Sequence, residues 1–270
     1  MGSKERLYAD IMAVHPEVTG SCNLVIVKQP DNTTVKFIVD CGLFQERKYS
    51  KNNESLPFIP ANIDFCLVTH NHVDHVGRLP FMVNKGFDKE IYMTETTAKL
   101  LPLALEDSHK VLRDVAKRQN HSPLYSEADV SQTMRLIHPC KYNETIQIRP
   151  NIKATFFMNG HLMGASSILV QISWEEYETI NLFFTGDYNI KNMFFDVPDL
   201  PDWVLELPLT VVQESTYGDM DSYEVTSCFK QNVLKCLEHG GTVVAQSFRW
   251  DVRRKFCMRL NACRTMVLWT

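Results

Sequence analysis

The sequence predicts an α/β chain, α+β in the way its segments are arranged, with two or more sheets covered by helices. Three observations carry this. Short apolar runs of strand composition recur at Leu24–Val27, Val35–Val39, Phe65–Val68, Ala154–Phe157, Ser167–Ile172, Asn181–Phe184 and Val211–Gln213. Helical patterns lie between the later runs. With 44% hydrophobic residues in 270, the chain can bury one large core or two smaller ones.

The first two runs are separated by Gln29-Pro30-Asp31-Asn32, a turn signal that predicts a hairpin. Residues 95–118 form a long helical segment with Pro102 near its start. Ser126-Glu127-Ala128-Asp129 resembles a capping box, and Val130, Met134 and Ile137 fall on one helical face behind it.

Composition excludes some classes. A net charge of −4 gives no global electrostatic case for nucleic acid, so such a partner must be argued from the site. Eight cysteines are scattered without a Cys-x-x-Cys pair, which points to reduced thiols and a cytoplasmic protein. The polar start Met1–Arg6 lacks a signal segment, and no stretch reaches the length of a membrane span, so no membrane partner is expected.

The most informative residues are His70-Asn71-His72-Val73-Asp74-His75. Three imidazoles and a carboxylate leave the end of the Phe65–Val68 run together, where α/β folds build their sites. A polar loop with incidental histidines is the plainer reading, and four ligand-type groups at this spacing speak against it. Histidine and carboxylate suit Zn²⁺ and related divalent ions. Four such neighbours close more easily around two adjacent ions than around one, and a two-metal site activates water for in-line attack. A structural zinc shell would be rich in cysteine. The nearest, Cys66, lies inside the strand and belongs to the core.

Four further positions stand at the ends of apolar runs. His161 sits between glycines in Gly160-His161-Leu162-Met163-Gly164, which lets backbone approach a ligand closely. Asp187 follows Thr185-Gly186 and is placed to bridge two cations, or simply to cap a turn. Asp40 closes Phe37-Ile38-Val39 and could orient a metal-bound histidine. Glu214 closes Val211-Val212-Gln213; it could pair with a buried histidine, aim at the nucleophile, or serve as a turn acid.

Together these motifs resemble the metallo-β-lactamase superfamily, whose signature is His-x-His-x-Asp-His with a later His and a later Asp. They look most like its β-CASP branch of nucleic-acid nucleases, which includes ribonuclease J and the endonuclease subunit of the pre-mRNA cleavage and polyadenylation factor. Thr19-Gly20-Ser21-Cys22, Asp40-Cys41-Gly42-Leu43-Phe44-Gln45, the Gly160–Ser166 segment and Glu214-Ser215-Thr216-Tyr217-Gly218 all match that branch, covering roughly residues 10–245. The resemblance implies an αββα sandwich with two zinc ions at the sheet edge, and it admits Mn²⁺ in their place. His70, His72 and His161 would hold one ion. Asp74, His75 and Asp187 would hold the other, with Asp187 bridging. Asp74, Glu214 and Asp40 would serve catalysis, the last two matching the branch's first extra acidic motif and the first superfamily motif. The implied substrate is single-stranded RNA, cleaved by an activated hydroxide; homodimer assembly is admitted.

The chain also departs from the branch, whose members continue much further and supply two more histidines there. The expected organisation is a metallo-β-lactamase domain at 1–218, the start of a β-CASP domain at 219–245, and an aberrant basic tail at 246–270. In that tail Arg249, Arg253, Arg254, Lys255, Arg259 and Arg264 face the single acid Asp251. Codons can be chosen for Gln246–Lys255 that restore the branch's Pro-x-Phe-x-x-Gly-Arg-x-Gln-Glu pattern one base earlier, so a frameshifted, truncated chain with impaired activity is expected. The alternatives are a small-substrate hydrolase of the same superfamily and a non-catalytic RNA-processing subunit.

Overall fold

The computed structural model describes residues 6–14, 19–192 and 194–216, together with the short strands at 244–246 and 267–269. The chain divides into two compact units, Met1–Thr216 and Tyr217–Thr270.

The first unit is built on two sheets. The six-stranded sheet runs β1 (Tyr8–Ala13), β2 (Asn23–Lys28), β3 (Thr34–Val39), β4 (Phe65–Leu67), β5 (Ile91–Thr94) and β6 (Ile137–Cys140), in that order. Its first three strands are antiparallel and the rest join in parallel. The expected hairpin is therefore β2–β3. The five-stranded sheet has β7 (Thr145–Arg149), β8 (Ile152–Met158), β9 (Ser166–Ile172), β10 (Ile180–Phe184) and β11 (Leu209–Val212), in the order β11-β10-β9-β8-β7. Only β10 and β11 pair in parallel there.

Period-two alternation explains how the layers stack. Phe37 and Val39 of β3, Phe65 and Leu67 of β4, and Tyr92 of β5 meet Ala154, Phe156, Ile168, Val170, Leu182 and Phe184 of the second sheet in one buried cluster. The intervening residues Ile38, Cys66, Ile91 and Met93 point the other way. They pack beneath α2 (Leu79–Asn84), α3 (Glu95–Gln119) and α4 (Glu127–Arg135), through Leu79, Phe81, Met82, Leu101, Leu105 and Val130. A short helix, α1 (Val73–Val76), precedes them. On the outer face of the second sheet, Phe157, Leu169 and Phe183 pack against Val204 of α5 (Asp202–Leu205). The order helix, sheet, sheet, helix is the αββα sandwich, with a thin fourth layer among the described residues.

Local chemistry sets the helix ends. Thr94 caps α3 by accepting from Thr97 N, and Asn120 closes it at φ 56°, a left-handed C-terminal position. The helix continues through Pro102. Ser126 and Asp129 form the expected capping box. The helical face ends sooner than expected: α4 stops at Arg135, and Ile137 opens β6.

In the second unit, β12 (Val244–Gln246) and β13 (Val267–Trp269) pair in parallel. Apart from these strands, the regions read as a β-CASP start and a basic tail lie outside the described residues.

Candidate metal centre

The site gathers where strands end. β4 runs out at Leu67, and the loop Val68–His72 leads into α1, which carries Asp74 and His75. β3 ends beside it at Asp40. From the second sheet, β8 leads to His161, β10 to Asp187 and β11 to Glu214.

Ligand atoms of His70, His72, His161 and Asp187 all lie within 4.8 Å of one another. His72 Nδ1 is 3.0 Å from His70 Nε2 and 3.1 Å from His161 Nε2. Asp187 Oδ2 is 3.6 Å from His161 Nε2 and 3.9 Å from His70 Nε2, while its Oδ1 is 3.2 Å from His75 Nε2. Three ring nitrogens, each able to present a lone pair, converge beside the Asp187 carboxylate. They are arranged as donors to a shared cation, and this His/Asp set is that of a divalent metal site.

His75 stands one step to the side, buried, between two carboxylates. Its Nδ1 is 2.8 Å from Asp40 Oδ2. Asp40 is itself buried and accepts from Thr69 N and Thr69 Oγ1, each at 2.8 Å. This network assigns the Nδ1 proton to the Asp40 side and turns Nε2 toward Asp187. Burial by itself pushes the His75 imidazole down. The Asp40 and Asp187 carboxylates together outweigh that and hold it well above its ordinary value of 6.5. Burial likewise pushes Asp187 up, but the His75 hydrogen bond and the charges of His75, His161 and His72 bring it to about 2. Asp187 is thus ionised near neutral pH, as a metal ligand must be.

Besides Asp40 and His75, two further positions named from sequence stand outside the donor group. Asp74 lies on α1 next to His75, and its carbonyl accepts from Ser21 N at 2.8 Å. Glu214 accepts from Thr216 N at 3.2 Å and Tyr188 N at 3.5 Å, which fastens the turn after Asp187. With Asp40, His75 and Asp187 it lines a cavity of about 260 Å³.

Residues not singled out from sequence do much of the positioning. Thr69 holds Asp40 twice, and its carbonyl accepts from both N and Oγ of Ser166, which ties the two sheets. Asn159 accepts from His161 N and donates to the carbonyls of Thr185 and Asp187, which ties the two second-sheet loops. Their only sequence signal is adjacency, directly before His70 and before Gly160-His161. Gly42 and Gly160 are set by close approach. A Cβ on Gly42 would stand 1.6 Å from Asp74 O, and one on Gly160, at φ 76°, would stand 2.0 Å from Asn189 O.

Residues 29–191 match the metallo-beta-lactamase superfamily domain. The chain belongs to the metallo-β-lactamase superfamily. It is 32% identical over 237 residues to Ribonuclease TTHA0252 of Thermus thermophilus, covering 86% of this chain and 49% of that protein. It is 29% identical over 247 residues to Transcription termination factor FttA of Methanosarcina mazei, covering 86% and 36% respectively. Against Integrator complex subunit 11 of Danio rerio it is 25% identical over 259 residues, covering 91% and 40%. Ribonucleases are thus among its relatives, as the β-CASP resemblance implies. The chain spans half or less of the length of these curated relatives.

Proposed function

We propose that the chain is the metal-binding part of a β-CASP-type phosphodiesterase that cleaves single-stranded RNA. The convergence of His70, His72, His161 and Asp187 within 4.8 Å carries the reading. His70, His72 and His161 would hold one zinc ion; Asp74, His75 and Asp187 would hold a second, with Asp187 shared. Manganese fits the same oxygen and imidazole donors. Metals held there would supply a nucleophilic hydroxide and neutralise charge on the phosphate oxygens.

The chain's own residues supply the rest. Asp40 fixes the His75 ring through Nδ1 and leaves Nε2 directed at the site. Thr69 fixes Asp40. Glu214 holds the Asp187 turn through backbone N–H groups, so it acts as a positioning residue. In the same reading, residues 1–218 are the metallo-β-lactamase domain, 219–245 begin a β-CASP domain, 246–270 form a frameshifted basic tail, and the protein is cytoplasmic. No helix among the described residues is long and apolar enough to cross a membrane.

The test is cleavage of an end-labelled single-stranded RNA with zinc or manganese, comparing the chain with His72→Ala and Asp74→Ala. Loss of a ligand should lower the rate by about 100-fold. Undiminished cleavage by Asp74→Ala removes that residue from the site. Undiminished cleavage by both variants overturns the reading.

A further inference from the structure

Cys22 and Cys41 face each other across the β2–β3 hairpin, and the proposed chemistry uses neither. The hairpin register pairs Asn23 with Val39 and does not continue beyond them. Asp40 takes φ 63°, and the next cross-strand bond runs from Gly42 N to Ser21 O at 2.8 Å. One extra residue has been absorbed at Asp40, as in a β-bulge. The shift sets Cys41 opposite Cys22. Cys41 N donates to His75 O at 2.7 Å, and Cys41 O accepts from Arg78 N at 2.9 Å, so its backbone groups are engaged with α1 and the turn that follows it. The cysteines thus form a pair of the non-hydrogen-bonded type. Such pairs hold their Cα atoms about 4.5 Å apart, within the about 4.4–6.8 Å span of disulfides.

The side chains share a face. Cys41 packs with Leu24, Ile38 and Cys66 under the helices, and Cys22 lies two residues before Leu24 on the same strand path. Both thiols are free and buried, and they interact directly with each other. Cys22 also lines the 260 Å³ cavity, a route for a small oxidant.

We propose that Cys22 and Cys41 close into a reversible disulfide under hydrogen peroxide, and that closure loosens the metal site. The chemistry balances in two steps. One thiolate attacks a peroxide oxygen, giving a sulfenic acid and, after protonation, water. The second thiol displaces that hydroxyl as a second water and forms the S–S bond. Two thiols lose two electrons, and peroxide gains them. Disulfides favour a Cα separation of about 5.5–6 Å, so closure from a pair held at about 4.5 Å levers the end of β3 away from β2. Cys41 is bonded to the His75 carbonyl, and its neighbour Asp40 holds the His75 ring. The displacement therefore acts on the residues that aim His75 at Asp187.

The metal consequence rests on the metal-site reading above; the disulfide does not, so the two fail separately. The zinc-loaded chain is treated with hydrogen peroxide, blocked by alkylation, and mapped by peptide mass spectrometry. Zinc affinity is measured alongside by chelator competition. The expected result is a Cys22–Cys41 cystine, zinc affinity lower by about tenfold or more, recovery with dithiothreitol, and no oxidative loss in Cys22→Ala. Cys66 and Cys140, also free and buried, serve as internal references. Cys22 and Cys41 both remaining alkylatable after unfolding, or Cys41 joined to Cys66, overturns the disulfide. A Cys22–Cys41 cystine with unchanged zinc affinity overturns the coupling.

Discussion

His75 is the residue on which the site's charge turns, because it sits between Asp40 and Asp187. Replacing Asp40 by Asn keeps a polar group of the same shape and removes the charge that orients the ring. Metal affinity should fall by about 10- to 100-fold with the far-UV spectrum unchanged. Competition with a chromophoric chelator measures this, and equal affinity would mean that Asp40 does not act through His75. The same pair predicts a pH dependence. His75 is raised above 6.5, so with metal chelated its contribution to stability is complete below that value and is lost as pH climbs through the raised one. Asp187 is lowered from 3.8 to about 2, so its contribution is complete above 3.8 and lost as pH falls through about 2. In EDTA, melting temperature should therefore decline as pH rises above 6.5. In zinc it should rise over the same range, because a ligand histidine must give up its proton. Parallel slopes in thermal melts with and without EDTA would contradict this account of His75.

At the scale of elements, α1 is seated by backbone contacts as well as by the buried side chains of His75 and Val76. Leu43 N bonds Val73 O, Cys41 N bonds His75 O, and Gly42 lies against Asp74 O. Gly42→Ala should cost about 3 kcal/mol or more by displacing α1, and it should weaken metal binding with it. Ser126→Ala removes the α4 cap, far from the site in sequence and role. It should cost about 1 kcal/mol and leave metal affinity alone. Denaturant melts and chelator titrations separate the two effects.

The elements also show what sequence patterns carry. The runs of β2, β3, β4, β8, β9, β10 and β11 are regular and apolar, and each was legible. β1, β5, β6 and β7 were not. Ile91–Thr94 is four buried residues with no alternation to mark it. Ile137–Cys140 contains Pro139, which a sheet tolerates because β6 is an edge strand. Ile137 read as the end of α4 because it continues the helical spacing of Val130 and Met134 across the single residue Leu136.

For the whole molecule, the site exists only where the two sheets meet. His70, His72 and His75 come from one sheet, His161 and Asp187 from the other, and Ser166 bonding to the Thr69 carbonyl joins them. The ligand types were legible because imidazole and carboxylate at strand ends have few structural uses. Of the residues that aim them, Asp40 was legible at the end of its strand, whereas Thr69 and Asn159 were not, since they work largely through contacts with the backbone that no spacing encodes. Metal binding by the purified chain is the most direct measurement. Zinc should bind with a stoichiometry approaching two and release protons on binding, and the double variant His70→Ala, His161→Ala should lose the tighter site while remaining folded. A folded wild-type chain that takes up no zinc or manganese, or a double variant that binds both ions as tightly as wild type, would contradict the account at its centre.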